Sequence, residues 1–121
     1  MVDPILISLC AMAEAEKPME IDITLIVGGF LVSGNVTNSK AYFKHHPIPE
    51  GILRGMEAIK KEDPGLVEKF KNAENEFIYL RDAKYFLPGA DPIPMNMSVF
   101  VRISLDSVHG FSFGKISVSQ E

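Results

Sequence analysis

Between Ile21 and Val36 the chain reads as a β-hairpin. Ile21, Ile23, Leu25 and Val27 fall on one face of an extended segment, with Asp22 and Thr24 on the other. Gly28-Gly29 follows, free to take the positive φ angles of a tight turn, and Phe30, Val32, Gly34 and Val36 resume the alternation. The second strand is expected to run on toward Tyr42 and Phe43, so that the hairpin unit spans residues 20–44. Gly34 lies in mid-strand, where a glycine predicts a bend or the close approach of another backbone.

The hairpin is flanked by helical signals and followed by more strands. Asp3-Pro4 sets an N-cap before a first-turn proline, and Ile5, Leu9 and Met12 recur at helical spacing until Lys17-Pro18, which predicts an N-terminal helix within residues 1–18. After His46-Pro47-Ile48-Pro49 the character changes. Residues 49–76 hold 7 acidic and 5 basic side chains, 12 of the 28 charges in the chain, with Ile52, Met56 and Ile59 at helical spacing, so residues 48–75 read as a solvated helical insertion. Asp63-Pro64 predicts a second helical start inside it, with Leu66 and Phe70 on one face.

Three strands are expected in residues 76–118. The first is Phe77-Ile78-Tyr79-Leu80, which a proline-rich loop from Pro88 to Pro94 ends. The second runs through Val99, Val101, Ile103 and Leu105 around outward-facing Arg102 and Ser104, and the last runs from Val108 through Gly110-Phe111-Ser112-Phe113-Gly114 to Val118. Helix, two strands, helical insertion and three strands make a mainly β chain with helices, an α+β class. For one core that order predicts a small, five-stranded, strongly bent antiparallel barrel. At 121 residues one domain accounts for the whole chain.

Charge narrows the partners. A net charge of −4 argues against a broad phosphate-binding surface, which needs clustered Lys and Arg. Nucleic acid is therefore a disfavoured partner. The apolar runs fall short of the ~20 residues of a membrane span, no export signal is visible, and the single Cys10 in Leu9-Cys10-Ala11-Met12 reads as a buried hydrophobe; a soluble protein of the cytoplasm is expected.

Catalytic chemistry finds little to build on. Asp82, Asp91 and Asp106 lie beside turns, where acids satisfy local backbone donors. His45 and His46 are adjacent, which turns their rings to opposite sides of an extended chain, and His109 has no nearby Cys or His, so no metal site is expected. The glycine spacings fit no phosphate-cradling loop, and no cofactor is expected. No enzyme is read here. The side chains best suited to macromolecular contact are the aromatics Tyr42, Phe43, Phe111 and Phe113, with Arg102.

Three stretches carry a family resemblance: Val32-Ser33-Gly34 with Ser39-Lys40-Ala41-Tyr42-Phe43, then Phe77-Ile78-Tyr79-Leu80-Arg81-Asp82-Ala83, then Gly110-Phe111-Ser112-Phe113-Gly114-Lys115-Ile116-Ser117. Together, with a charged helical stretch between the first two, they resemble the gas vesicle accessory protein GvpU family over roughly residues 20–118. The resemblance implies a non-enzymatic accessory factor that binds shell protein or vesicles and assists their assembly or organisation, rather than one of the small hydrophobic shell proteins.

The strand order also resembles the five-stranded barrel of Sm-like proteins, which carry an N-terminal helix and form rings by pairing the edges of their last two strands. That resemblance implies a homo-oligomer, with an RNA-binding regulator or another oligomeric protein-binding module as the alternative function. Against RNA, Lys40 and Lys44 stand where RNA-binding versions carry Asp and Asn, and no Arg-Gly pair precedes the last strand.

Overall fold

A computed structural model describes residues 2–15, 20–65, 76–94 and 97–116. The first helix, α1, is Pro4–Ala13; Asp3 caps it, its carboxylate accepting from the Ile5 amide at 2.8 Å. It ends five residues earlier than the proline stop suggested. Its face also differs from the expected one: Leu6, Leu9 and Ala13 are buried, whereas Ile5 and Met12 are exposed. The segment PILISLCAMA is apolar nearly all round, so helical spacing alone admits either set.

Strands β1 (Ile21–Val27) and β2 (Phe30–Thr37) form the expected hairpin, in register from Ile21↔Val36 to Val27↔Phe30, with Gly28 at φ +61 in the turn. Ile23, Leu25 and Val32 are fully buried on one face. β2 stops at Thr37 instead of reaching Tyr42 and Phe43. The Asn38 side chain accepts from the Ala41 amide at 2.7 Å and starts a second helix, α2 (Ser39–Lys44), so both aromatics are helical. Glu14, just past α1, receives the Ser39 amide at 2.6 Å and its hydroxyl at 3.0 Å, tying the two helices together.

The third helix, α3 (Pro47–Glu62), is capped by His46, whose Nδ1 accepts from the Ile48 amide at 3.1 Å. The insertion thus begins at residue 39 rather than 48. The predicted turn carrying Leu66 and Phe70 lies outside the described residues.

Strand β3 (Phe77–Phe86) is longer than the four residues expected. Its pairing with β2 slips from Ser33↔Lys84 to Asn35↔Arg81, leaving an extra residue in β3 opposite Gly34; Asp82, at φ 51, takes up the slack. Gly34 is the predicted close approach: a Cβ there would stand 3.0 Å from the Arg81 carbonyl oxygen and 3.1 Å from the Leu80 Cβ. The following loop returns along β3, exchanging two backbone hydrogen bonds between Tyr85 and Ile93 at 2.7 and 2.9 Å.

Strand β4 (Val101–Ser104) ends before Leu105, which belongs to a short 3₁₀ turn (Leu105–Ser107) rather than to the strand, and is buried with its amide on the Glu76 carbonyl. Strand β5 (Val108–Phe113) stops well before Val118, because Gly114 at φ +107 leads the chain out of the strand. Ser117 and Val118 are outside the described residues.

The strands form one antiparallel sheet in the order β4-β3-β2-β1-β5. With three helices this is the α+β class expected, but the sheet curls into a half-barrel: β4 and β5 are its two edges and do not pair with each other. The core lies on the inner face, where Leu6, Leu9 and Ala13 of α1 meet Ile23, Leu25, Val32, Val36, Ile78 and Leu80. The outer face is covered at one end by α2. Among the described residues no helix is long and apolar enough to cross a membrane.

Candidate interaction surface

Period-two alternation puts Phe77 and Tyr79 of β3 on the outer face, opposite the inward Ile78 and Leu80. The register sets Arg102 of β4 directly across from Tyr79. Arg102 lays its guanidinium over the Phe77 ring, 3.6 Å from the centroid, and its Nε donates to the Tyr79 hydroxyl at 3.2 Å. Such a cation over an aromatic face is held by the ring quadrupole and keeps a flat, rigid arrangement.

Helix α2 completes the cluster. The Tyr42 ring lies 5.2 Å from Tyr79 and 5.3 Å from Phe43, and Phe43 lies 6.4 Å from Tyr79. His45 extends it, stacked on Phe100 at 4.4 Å with an interplanar angle of 14°. Phe43 and Tyr79 are buried and anchor α2 to the sheet, while Tyr42 and Phe77 are half-buried and His45 and Arg102 exposed. The accessible part is therefore an amphipathic patch with one fixed positive charge.

Of the five contact residues expected from sequence, Tyr42, Phe43 and Arg102 converge here. Phe111 and Phe113 do not: they sit on β5, at the opposite edge of the sheet, with rings edge-on at 5.8 Å. Phe111 packs partly against the core and Phe113 is 63% exposed. Phe77, His45 and Phe100 join the cluster without having been expected as contact residues. The signal for Phe77 was available in its two-residue offset from Tyr79; those for His45 and Phe100 were not, because both depend on how a loop folds back.

A second apolar feature lies at the hairpin tip, a cleft of about 430 Å³ lined by Ile26, Leu31, Phe86, Leu87 and the turn glycines. Between it and the aromatic cluster the outer face is polar. The buried Thr24 and Ser33 hydroxyls are 2.6 Å apart; Thr24 donates to the Gly114 carbonyl at 2.8 Å and Ser33 accepts from the Ile116 amide at 3.1 Å, so the segment after β5 is strapped over β1 and β2.

Burial, with the Glu14 charge adding to it, pushes the Cys10 thiol up from 9.0 to about 11, which leaves it protonated and a poor nucleophile at neutral pH. Burial likewise pushes the Tyr85 hydroxyl above its ordinary value. Among the described residues no three His, Cys, Asp or Glu side chains are grouped to hold a metal ion. What the arrangement offers chemically is contact: a rigid aromatic–cation patch, an apolar cleft and two strand edges.

No curated protein matches the chain, and no solved structure does, so the expected likeness to Sm-like barrels is not confirmed. The family model described as gas vesicle protein GvpU-like matches residues 3–116 of the 121, from the start of α1 to the strap beyond β5. The match takes in the helical insertion as well as every strand, and the chain belongs to the gas vesicle GvpU-like family.

Proposed function

We propose that the chain is a non-enzymatic accessory protein of gas vesicles, which binds shell protein or assembled vesicles in the cytoplasm and assists their assembly or organisation. The family match over residues 3–116 carries this reading. The outer-face patch supports it: Tyr42, Phe77 and Arg102 supply aromatic area and a charge at small entropic cost, the composition favoured in protein interfaces. The net charge of −4 weighs against an RNA-binding regulator. Self-association belongs to the same reading, since among the described residues β4 and β5 each leave one side of the strand without a partner.

Gas-filled vesicles rise through solution, so flotation is the direct test. The purified chain mixed with salt-stripped vesicles is expected in the floating layer, and R102E combined with Y42A is expected to leave most of it below. Deleting the gene in a vesicle-forming host is expected to change vesicle number, shape or arrangement under the electron microscope. Vesicles unchanged in all three respects, with no co-flotation, would defeat the proposal.

A further inference from the structure

The chain has three arginines, and two of them hold acids: Arg54 is on Glu50 and Arg81 on Glu20. Arg102 is different. Its guanidinium lies flat over the Phe77 ring and its Nε donates to the Tyr79 hydroxyl, and among the described residues it meets no carboxylate. Those two contacts fix the plane of the group and leave one edge of it, the terminal nitrogens Nη1 and Nη2, without a hydrogen-bond partner. Arg102 is exposed. A guanidinium presented end-on offers two parallel N–H donors at the spacing of the two oxygens of a carboxylate. Fixing it beforehand removes much of the side-chain ordering that binding otherwise costs.

The surroundings decide which anion fits. Helix α2, which packs on Tyr79, carries the exposed Lys40 and Lys44 and no acid of its own. Glu14, at the start of that helix, is taken by the Ser39 amide and hydroxyl. Two exposed acids, Glu76 and Asp106, stand just beyond the Phe77↔Ser104 pair that ends the β3-β4 ladder. None of these acids forms an ion pair with Arg102, but the last two disfavour a second negative charge at that end. A single carboxylate fits better than a run of acids or phosphates.

Aromatic area lies on both sides of Arg102 along the strand. Phe77 is across from Ser104, two residues on, and Phe100, two residues back, carries the His45 ring at 4.4 Å. A chain that ended at Arg102 would cover one side alone. The segment that fits runs past it, with apolar side chains before and after the acid.

We propose that Arg102 is the receptor for an Asp or Glu side chain of a partner protein, gripped end-on by Nη1 and Nη2 while apolar neighbours of that acid lie against Phe77 and Phe100. This receptor rests on the reading of the patch as the docking surface, and it fixes what the docked segment must carry.

Two capped peptides, acetyl-Ala-Leu-Glu-Leu-Ala-amide and its Gln counterpart, test it by NMR titration of the full chain. The Glu peptide is expected to shift the Arg102 Nε resonance and to bind at least about tenfold more tightly than the Gln peptide. This comparison uses the wild-type chain and so does not depend on a variant keeping the cluster intact. R102K retains the charge without the fork and is expected to lose most of the preference for Glu over Gln. Equal binding of the two peptides, or shifts that leave Phe77, Phe100 and Arg102 untouched, would overturn the receptor. So would a full Glu preference in R102K, or oligouridylate binding more tightly than the Glu peptide at physiological salt, which would give the guanidinium to phosphate. A chain that floats with vesicles yet treats both peptides alike would overturn the receptor and leave vesicle binding standing. A chain that takes the Glu peptide at Arg102 but never floats would support the receptor and count against the vesicle role.

Discussion

At Gly34 one missing methyl group decides whether two strands can slip past each other. The bulge in β3 brings the Arg81 carbonyl and the Leu80 side chain against it, both tighter than an ordinary Cβ contact, so that an added methyl must push neighbours held by the sheet. Gly34→Ala should therefore cost about 1–3 kcal/mol through overpacking, read as a drop in the urea midpoint with unchanged m. Gly29→Ala, in open space at the hairpin turn, should cost well under half of that. Cys10 makes a pH-dependent prediction. Its thiol, raised from 9.0 to about 11, is neutral in both folded and unfolded chains below pH 9; between 9 and 11 the unfolded thiol loses its proton first, so stability falls across that window. Because the group is part exposed, the loss should stay below ~2 kcal/mol, and the difference in pH slope between wild type and Cys10→Ala measures it. Gly34 was legible in the sequence because a mid-strand glycine has few other uses. The bulge opposite was not, since Asp82 at φ 51 gives no pattern that distinguishes it from an ordinary loop-side acid.

Elements were legible where spacing and caps agreed. The hairpin carries both alternation and its turn glycines, and the register came out as the pattern demands. α2 was hidden because Tyr42 and Phe43 favour strands while the deciding residue is a single Asn38 cap, whose side-chain hydrogen bond outweighs that preference over six residues. The contact surface suffered for it: Tyr42, Phe43 and Arg102 were all named, but what unites them is α2 folding back over β3, a tertiary event. Arg102 holds that junction through the Phe77 ring and the Tyr79 hydroxyl. Arg102→Met keeps the aliphatic stem and removes the charge and donor, and should cost about 1–2 kcal/mol, with Tyr79→Phe near 1. A double-mutant cycle on urea unfolding should return a coupling of about 0.5–1.5 kcal/mol. Strict additivity would mean that the arginine caps the cluster without holding it.

For the molecule as a whole, the consequence of a half-barrel is a pair of edges. The Gly114 amide bonds to the Asp22 carbonyl at 2.7 Å, so in an antiparallel ladder the amides of Phe113 and Phe111, one and three residues back, point away from β1 toward open space. Phe113 beside them is 63% exposed, an apolar side chain at an edge that carries no flanking Lys, Arg or Pro within β5. Natural sheets protect long edges with such charges or prolines, and their absence here leaves an edge suited to pairing with another copy through the free side of β4. Hydrogen exchange as a function of protein concentration resolves this amide by amide. If the edges pair, Phe111 and Phe113 should slow by at least about tenfold on going from dilute to concentrated protein, while Ile23, in the interior of the sheet, stays the same. Phe113→Lys should abolish the concentration dependence without lowering the melting temperature. Exchange at Phe111 and Phe113 that is fast at every concentration would mean that the sheet ends where β5 ends.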